Sequence, residues 1–392
     1  MKILFYRYGS ICEPDIIDAF CELGHEVAEL SEEIHNKGLL PEESVKLVSD
    51  TLLSQNFDCV FSINFFPMVS EVCNIFKIRY ISWTVDSPVM EIFFKPIKNI
   101  WNRTFLFDKA QYEEIHPLNP DCVFHMPLAA NASFRQNIIK TATANDLKRF
   151  THSLSFVGSL YTEKSPYDKL VHAPEYLTGY LDGLMQAQMR VYGYFFLEEL
   201  LTDEIVTDFK KHLPGFFTYP LENYLTDKKI MAQLYMGNKV SAIERVETFH
   251  FLSKEHTIDL YTGSDTSCFS NVINHGFAKS LTEMPIIFHE SAINLNITSK
   301  PIRSGIPFRL FDILSCGGFA LTNYQTELAE NFTIGEDFDV YTDLNELNEK
   351  VRFYKEHDAM RREIAQNGYE TLFKYHTFTI RMQQILDLAF SL

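Results

Sequence analysis

The segment 291–319 carries residue types that bind a polyanion. A polar turn with Arg303 leads through Gly305 into a predicted helix that carries Arg309. Free backbone N–H groups at a helix start, a glycine without a side chain and nearby guanidinium groups together suit a diphosphate, which accepts many hydrogen bonds. The sequence therefore predicts an anion site where this helix begins.

Asp312 adds a second kind of chemistry to the same helix. It lies about one and a half turns from the helix start, and a carboxylate there could accept two hydrogen bonds from neighbouring hydroxyl groups, as on a ribose. A diphosphate site beside a ribose site is what a nucleotide sugar needs. Taken one at a time, Arg303, Arg309 and Asp312 also fit solvated surface charges, and that interpretation stays open at this point.

A βαβ unit is needed to hold these residues. The run 293–295 is apolar on alternate positions and predicts a strand. The helix is predicted from about Phe308, with one apolar stripe, and it stops at Gly317. A second strand over 319–321 follows. Upstream, the apolar run 284–288 predicts another strand.

The first part of the chain predicts a parallel, doubly wound sheet, because strand-like and helix-like runs alternate there. Ligands of such sheets bind at the carboxyl ends of the strands. Asp86 follows the predicted strand 79–83, and His125 lies near the end of strand 122–126. We expect both to face one cleft, although helix capping or hydrogen bonding within a loop would also account for them.

A second α/β region is predicted from about residue 150. Its first strand, 155–157, leads to Gly158-Ser159, and a glycine at a strand end lets the backbone approach a ligand. Residues of about 168–256 have a helical pattern and predict a helical insertion. Its Tyr, Phe and Leu residues could support a homodimer or an acceptor contact, whereas packing on its own domain is the simpler expectation.

Composition narrows the class of protein. The 392 residues predict two domains, and the net charge of −17 argues against sequence-independent binding to nucleic acid. The 7 cysteines are scattered singly, without metal-ligand spacing. No segment approaches the apolar length of a membrane span and no signal-peptide layout is present, so we expect a cytoplasmic protein without a transmembrane segment.

Several motifs resemble the GT-B glycosyltransferases, and more narrowly the bacterial group related to the CgeB spore-maturation proteins. The resemblance spans the chain except for the helical insertion. The motifs are WTVDSP (83–88), MPLAAN (126–131), FVGS (156–159), INLN (293–296), GIPFRLFD (305–312), CGGF (316–319), IAQNGY (364–369), HTF (376–378) and Arg381.

The resemblance implies an α/β fold of two Rossmann-like doubly wound domains that face a cleft. Residues 1–150 would form the acceptor side, residues 151–376 the nucleotide-sugar side with the insertion, and residues 377–392 a C-terminal helix. Arg303 and Arg309 would neutralise the diphosphate, and Asp312 would hold the ribose. The full set of donor-binding residues that the resemblance implies is Gly158, Ser159, Asn296, Arg303, Ser304, Gly305, Ile306, Pro307, Arg309 and Asp312.

One position departs from the family pattern. The retaining enzymes of the family carry a Glu-x7-Glu motif, and Asp312 matches its second acid, but the position eight before it is Ser304. This departure leaves the donor sugar and the stereochemistry of transfer open.

The expected activity is metal-independent sugar transfer without a cofactor. Arginine side chains and helix N–H groups can stabilise the charge on a departing diphosphate. The run 337–339 has the Asp-x-Asp spacing of the other glycosyltransferase fold, but acids in turns are common and we discount it. If the reaction inverts the sugar, a general base is needed, and Asp86 is the first candidate and His125 the second.

The sequence thus predicts a hexosyltransferase-type glycosyltransferase that uses a nucleotide-sugar donor, with a UDP-sugar favoured. The acceptor would be a polysaccharide, a protein or another polar molecule. Two other classes stay open: a non-catalytic nucleotide-sugar-binding protein, and a nucleotide-sugar epimerase, which would need paired acid and base groups around the sugar.

Overall fold

The chain forms two parallel six-stranded sheets surrounded by helices, which confirms the predicted α/β class. The computed structural model describes residues 1–163, 165–219 and 221–391. The predicted segments 151–376 and 377–392 therefore include three residues, Lys164, Pro220 and Leu392, that lie outside the described residues.

The first sheet has the order β2-β1-β3-β4-β5-β6. Every residue of β3 and β5 is buried, as expected for strands of a parallel sheet that helices cover on both faces. The strands are β1 (Lys2–Tyr6), β2 (Glu26–Leu30), β3 (Cys59–Ile63), β4 (Arg79–Trp83), β5 (Asn102–Leu106) and β6 (Val123–His125).

Three helices of this region begin as propensity rules predict. Pro41 and Pro67 each occupy the first turn of a helix, and Asp108 caps another by accepting hydrogen bonds from two backbone N–H groups. The helices are α1 (Glu13–Glu22), α2 (Glu32–His35), α3 (Pro41–Ser54), α4 (Pro67–Phe76) and α5 (Lys109–Ile115), with 3-10 turns at Met90–Phe93, Lys95–Lys98 and His116–Leu118.

The second sheet has the order β12-β11-β10-β7-β8-β9. Its core cluster contains side chains of β7, β8, β10 and β11 and of the helices beside them. The strands are β7 (Leu154–Val157), β8 (Ile258–Tyr261), β9 (Val272–Asn274), β10 (Ile293–Asn296), β11 (Ala320–Asn323) and β12 (Asp339–Tyr341).

Helices fill the chain between β7 and β8, where the insertion was predicted. A π-helical turn, Met231–Gly237, joins two of them, and a 3-10 turn lies at Pro166–Lys169. The remaining helices, in chain order, are α6 (Ala132–Thr141), α7 (Ala144–Arg149), α8 (Glu175–Met189), α9 (Leu197–Leu200), α10 (Asp203–His212), α11 (Asp227–Ile230), α12 (Asn238–Leu252), α13 (Met284–Glu290), α14 (Phe308–Ser315), α15 (Leu328–Asn331), α16 (Leu344–Glu356), α17 (Asp358–Tyr375) and α18 (Phe378–Phe390).

The predicted strand over 284–288 is wrong, because this segment is the helix α13. Five consecutive apolar residues fit a buried strand and a buried helix equally well. Pro285 decides for the helix, since proline suits the first helical turn and cannot donate a hydrogen bond within a sheet.

The chain divides into two compact units. The first unit comprises Met1–Ala129, Tyr219–Leu225 and His376–Leu392, and the second comprises Ala130–Thr218 and Thr226–Tyr375. The C-terminal helix α18 thus belongs to the same unit as β1 to β6. The domain boundaries predicted from the sequence, 1–150 and 151–376, stay a prediction, and the two units have other boundaries.

Within the part of the chain that is described, no helix combines the length and the apolar character required to cross a membrane.

Gly368 marks a close approach between α17 and the turn before β12. A Cβ atom at this position would lie 2.1 Å from the Asp337 carbonyl oxygen and 2.9 Å from a Leu314 methyl group. Backbone atoms cannot move away as the end of a flexible side chain does. The packing of α17 on this turn therefore requires a glycine.

We expect Gly368→Ala to lower the free energy of unfolding by about 1–3 kcal/mol through overpacking. Gly179→Ala is the matched control, because Gly179 also lies inside a helix but has no atom within 4 Å of the added Cβ. The control should raise stability by up to about 1 kcal/mol. Denaturant unfolding measures both, and equal effects of the two variants would contradict the close approach.

Candidate functional site

The second sheet changes winding direction between β7 and β10. From β7 the chain adds β8 and β9 on one side, and then β10, β11 and β12 on the other. In doubly wound sheets, ligands bind outside the carboxyl ends of the strands at such a switch point. Here those ends are Gly158-Ser159 after β7 and Ile297 after β10.

Arg245 of α12 occupies the switch point. Its guanidinium donates from Nη1 to the Ser159 carbonyl and from Nη2 to the Ile297 carbonyl, the latter at 2.6 Å. It also lies 4.3 Å from the centre of the Tyr161 ring, and the residue is 7% exposed. Two carbonyl groups thus hold a positive charge in a fixed position beside the strand ends, where it can act on an anion.

Gly158 lies against the Phe156 ring at the strand end, next to this arginine. A Cβ atom there would lie 3.2 Å from the Phe156 ring and 3.8 Å from Nη1 of Arg245. The next residue, Ser159, accepts a hydrogen bond at its Oγ from the Tyr161 N–H at 2.9 Å. The structure thus places Gly158 and Ser159 at the switch point, and their contact with a donor stays a prediction.

Arg309 and Asp312 lie in one charged cluster with Arg135 of α6. Arg135 Nη2 donates to Asp312 Oδ1 at 2.6 Å, and Arg309 Nη1 lies 3.4 Å from Oδ2 of the same carboxylate. Asp312 is 8% exposed. The interpretation of Asp312 as a solvated surface charge is therefore wrong. Its carboxylate already has a cationic partner, so its ribose-binding role stays a prediction.

The charges around Arg309 do not balance. Burial lowers the pKa of Arg309, Asp312 opposes this shift, and the positive charges of Arg245 and Arg135 add to it. The guanidinium also lies over the Phe288 ring, 5.4 Å from its centre. Arg245 and Arg135 thus add positive charge at Arg309, and Asp312 is the carboxylate that opposes them there. Arg245 also acts on the buried Glu244 carboxylate, but Glu244 has its own cationic partner in Lys300 at 3.4 Å. The positive charge that remains favours an anionic ligand.

The loop between β10 and α14 holds the other predicted donor-binding residues. Ser304 Oγ donates to Glu327 Oε1 at 2.8 Å, and Glu327 is 1% exposed. Pro307 takes the N-cap position of α14, and Arg303 lines a small cavity beside the loop. A carboxylate therefore lies beside position 304, but it comes from the segment after β11 and not from the position eight before Asp312.

Asn296, Gly305 and Ile306 are buried. Asn296 Nδ2 donates to Thr322 Oγ1 at 2.8 Å and so links β10 to β11. This contact stabilises the strand ends from which the loop departs. The direct contact of these three residues with a donor stays a prediction.

Asp86 lies beside the switch point of the first sheet, which falls between β1 and β3. Asn64, after β3, donates from Nδ2 to Asp86 Oδ2 at 2.7 Å, and the Tyr8 hydroxyl, after β1, lies 3.4 Å from the same oxygen. Burial raises the pKa of Tyr8 and the Asp86 charge raises it further, so the phenol stays protonated and donates. Asn64 has a left-handed φ of 58°, which asparagine tolerates.

His125 ends the edge strand β6, and β5 separates it from β4. Its ring lies 6.0 Å from that of Tyr112. Asp86 is tied by hydrogen bonds to switch-point residues, which makes it the better-placed acid–base candidate. A catalytic role of either residue stays a prediction.

Asp337 and Asp339, which have the discounted Asp-x-Asp spacing, have partners inside the second unit. Asp337 accepts hydrogen bonds from the Thr333 N–H at 2.7 Å and from the Thr371 hydroxyl at 2.8 Å. Asp339 accepts one from the Tyr354 hydroxyl at 2.8 Å. These hydrogen bonds give both carboxylates a structural role.

Sequence reasoning missed Arg135 and Arg245. The two arginines lie on helices far along the chain from the residues they contact, with sequence separations of 177 to Asp312 and 86 to Ser159. A single arginine in a helical pattern fits a solvated charge, so the sequence contains no local signal for either. Only the fold brings them to the predicted anion site.

Comparison with known proteins concerns the family and the fold. Residues 244–387 match a family model described as glycosyl transferase-like, a segment that contains Arg245, Arg309 and Asp312. No curated protein matched the sequence.

Solved glycosyltransferase structures match the whole chain. HepE from Anabaena, in complex with UDP and glucose, is 12% identical with a TM-score of 0.55 over 100% of both chains. A glycosyltransferase from Rickettsia africae is 10% identical with a TM-score of 0.55 over 99% of this chain and 97% of that chain. Sucrose-phosphate synthase from Thermosynechococcus elongatus is 8% identical with a TM-score of 0.56 over 100% of this chain and 99% of that chain. At such identities the likeness shows the fold, and it confirms the predicted GT-B fold.

The pairing of Arg135 with Asp312 predicts a strong loss of stability when the carboxylate is removed. We expect Asp312→Ala to lower the free energy of unfolding by about 3–5 kcal/mol, because a buried guanidinium loses its partner. The double variant with Arg135→Met should be less destabilised than the sum of the single variants, with a coupling of about 0.5–3 kcal/mol in a double-mutant cycle. Additive effects in denaturant unfolding would show that the pair is not formed.

Proposed function

We propose that this chain is a glycosyltransferase that transfers a sugar from a nucleotide diphosphate sugar to a polar acceptor. The observation that carries the proposal is the cluster of Arg245, Arg309 and Arg135 near the switch point of the second sheet. Such a place is where doubly wound sheets bind ligands, and its excess positive charge is suited to a diphosphate. Asp312 lies in the same cluster, and we propose that it binds the ribose.

The chemistry follows from the charge that develops on the departing group. When the bond between the sugar and the diphosphate breaks, negative charge accumulates on the terminal phosphate. Arg245 is held rigidly by two carbonyl groups, so it stabilises this charge without having to reorganise. Arg309 adds a second positive charge from α14. These groups supply the stabilisation without a metal ion or a cofactor.

We favour UDP as the nucleotide and a hexose as the sugar. HepE and the phage T4 protein BGT, both similar in fold to this chain, were solved with UDP-glucose. The acceptor would be a polysaccharide, a protein or another polar molecule, and the enzyme would act in the cytoplasm. A closer relationship with the CgeB-like group rests on the sequence motifs.

Asp86 is the proposed general base if the sugar is inverted. Its carboxylate accepts from Asn64 and lies near the Tyr8 hydroxyl, so its orientation is fixed before an acceptor binds. A base must lie within hydrogen-bond reach of the acceptor hydroxyl, and fixed orientation favours that geometry. If the configuration is retained, Asp86 would orient the acceptor instead.

A thermal-shift screen against nucleotides and nucleotide sugars tests the whole proposal. A ligand that binds only the folded state raises the melting temperature, so we expect UDP and a UDP-sugar to do so. Hydrolysis or transfer of the donor then distinguishes the enzyme from a protein that only binds. Stabilisation without turnover on any acceptor would favour the non-catalytic alternative, and interconversion of the donor sugar would favour an epimerase.

Arg309→Ala should weaken UDP binding. We expect the dissociation constant to rise by an amount that corresponds to about 1.5–3 kcal/mol, because a charge-assisted hydrogen bond to the diphosphate is lost. Arg362→Ala is the control, since this arginine is 76% exposed on α17. Titration calorimetry with UDP measures both variants, and an unchanged affinity of Arg309→Ala would remove this residue from the site.

Asp86→Asn should reduce transfer while leaving UDP affinity unchanged. The amide keeps the size of the side chain but cannot accept the acceptor's proton, and loss of a general base costs about 100- to 10,000-fold in rate. Asp18→Asn, an exposed substitution in the same unit, is the control. Turnover equal to that of the unmodified protein would exclude Asp86 as the base.

A further inference from the structure

Strand β8 directs two polar residues away from the hydrophobic core of the second unit. Ile258 and Leu260 are fully buried in the core cluster with Phe249 of α12. Side chains alternate along a strand, so Asp259 and Tyr261 point to the opposite face of the sheet. Polar side chains in such a position need polar partners.

Three potential metal-ligand atoms converge at Asp259. Its Oδ1 lies 3.2 Å from His152 Nδ1 and 2.8 Å from His275 Nε2, and all three atoms lie within 4.8 Å of one another. Zinc bonds of about 2.0–2.2 Å in tetrahedral geometry place neighbouring ligand atoms about 3.3 Å apart. The two separations that involve Asp259 are within about 0.5 Å of this spacing, whereas the two imidazole nitrogens lie up to 4.8 Å apart and must approach each other by up to about 1.5 Å to bind one ion.

Tyr261 orients both imidazole rings. Its hydroxyl lies 2.7 Å from His152 Nε2, the ring nitrogen that points away from Asp259. Its ring stacks on His275, with 4.7 Å between ring centres and an angle of 19° between planes. Histidines that bind metals commonly use the second ring nitrogen for a hydrogen bond of this kind, which fixes the tautomer.

We propose that His152, Asp259 and His275 bind one zinc-like divalent ion, at a site separate from the anion site. Two imidazole nitrogens and one carboxylate suit zinc and other late first-row metals, and they disfavour Mg²⁺ and Ca²⁺, which prefer all-oxygen sites. The ion would be bound by His152 Nδ1, Asp259 Oδ1 and His275 Nε2, with water in the fourth position.

The placement of the three ligands gives the site a structural role. His152 precedes β7, Asp259 lies in β8 and His275 follows β9. An ion would therefore link three neighbouring segments at the edge of the sheet. The His275 side chain is 31% exposed, which gives the ion a path from solvent, whereas the His152 side chain is 7% exposed.

The competing arrangement is a hydrogen-bonded cluster without an ion. In that state Asp259 Oδ1 accepts from His152 Nδ1–H and His275 Nε2–H, and His152 Nε2 accepts from the Tyr261 hydroxyl. In the metal-bound state the protons on His152 Nδ1 and His275 Nε2 are absent, and His152 Nε2–H donates to Tyr261. Measuring whether the chain binds Zn²⁺ therefore distinguishes the two arrangements.

The test uses the full chain after treatment with a chelator. We expect Zn²⁺ to bind with a stoichiometry of one per chain in competition with a chromophoric chelator, and to raise the melting temperature, whereas Mg²⁺ does neither. His275→Ala should fold, because the side chain is partly exposed, and should weaken Zn²⁺ binding more than 100-fold. Tyr261→Phe should weaken it by about 10- to 100-fold, as expected for the partner of a ligand.

His35→Ala is the matched control, because His35 is an exposed histidine in the first unit. It should bind Zn²⁺ as the unmodified chain does. Cobalt gives a second measurement: the visible absorption of Co²⁺ bound to the unmodified chain should be lost in His275→Ala and kept in His35→Ala. Equal Zn²⁺ affinity in the unmodified chain and in His275→Ala would overturn the proposal and leave the hydrogen-bonded cluster.

Discussion

The proposed site of the second unit depends on two hydrogen bonds that Arg245 donates to backbone carbonyl groups. The reversal of strand order between β7 and β10 leaves two strand ends side by side, with carbonyl groups that no neighbouring strand can satisfy. The guanidinium of Arg245 donates to one carbonyl from each end. The same contacts satisfy the backbone and fix a buried positive charge. Folding and the proposed anion binding therefore share one side chain.

The architecture of the sheets could be predicted from the sequence, because its signals are periodic and local. The helix at Phe308–Ser315 and the strand at Ile293–Asn296 follow from apolar spacing and from the glycines and prolines that bound them. The segment 284–288 was misassigned because five apolar residues have no distinguishing period. The strand Val272–Asn274 gave no signal, since it is a short edge strand whose side chains are mostly exposed.

The candidate site could be predicted only where its residues share one segment. Arg309 and Asp312 are three residues apart on one helix, and they do lie in one cluster. Glu327, by contrast, lies beside Ser304 although the sequence pattern has no acid at that position. A motif records which residue type stands at a given spacing, but it does not record a group that another segment brings to the same place. The position of the acid therefore had to come from the fold.

The histidine cluster could not be predicted from the sequence either, because its residues come from separate segments. They meet on the face of a strand instead of at a strand end. The sequence IDLY of β8 shows alternation, which predicts that Asp259 points away from the core, but it does not show which residues meet it there. His152 and His275 arrive from opposite ends of neighbouring strands, so their spacing along the chain does not resemble a metal motif. A carboxylate on this face requires positive partners, because burial without them is costly. Two histidines supply them either as proton donors or as ligands of a shared ion. The second sheet thus has two places where charge is concentrated, with an anion favoured at the strand ends and a cation at the edge face.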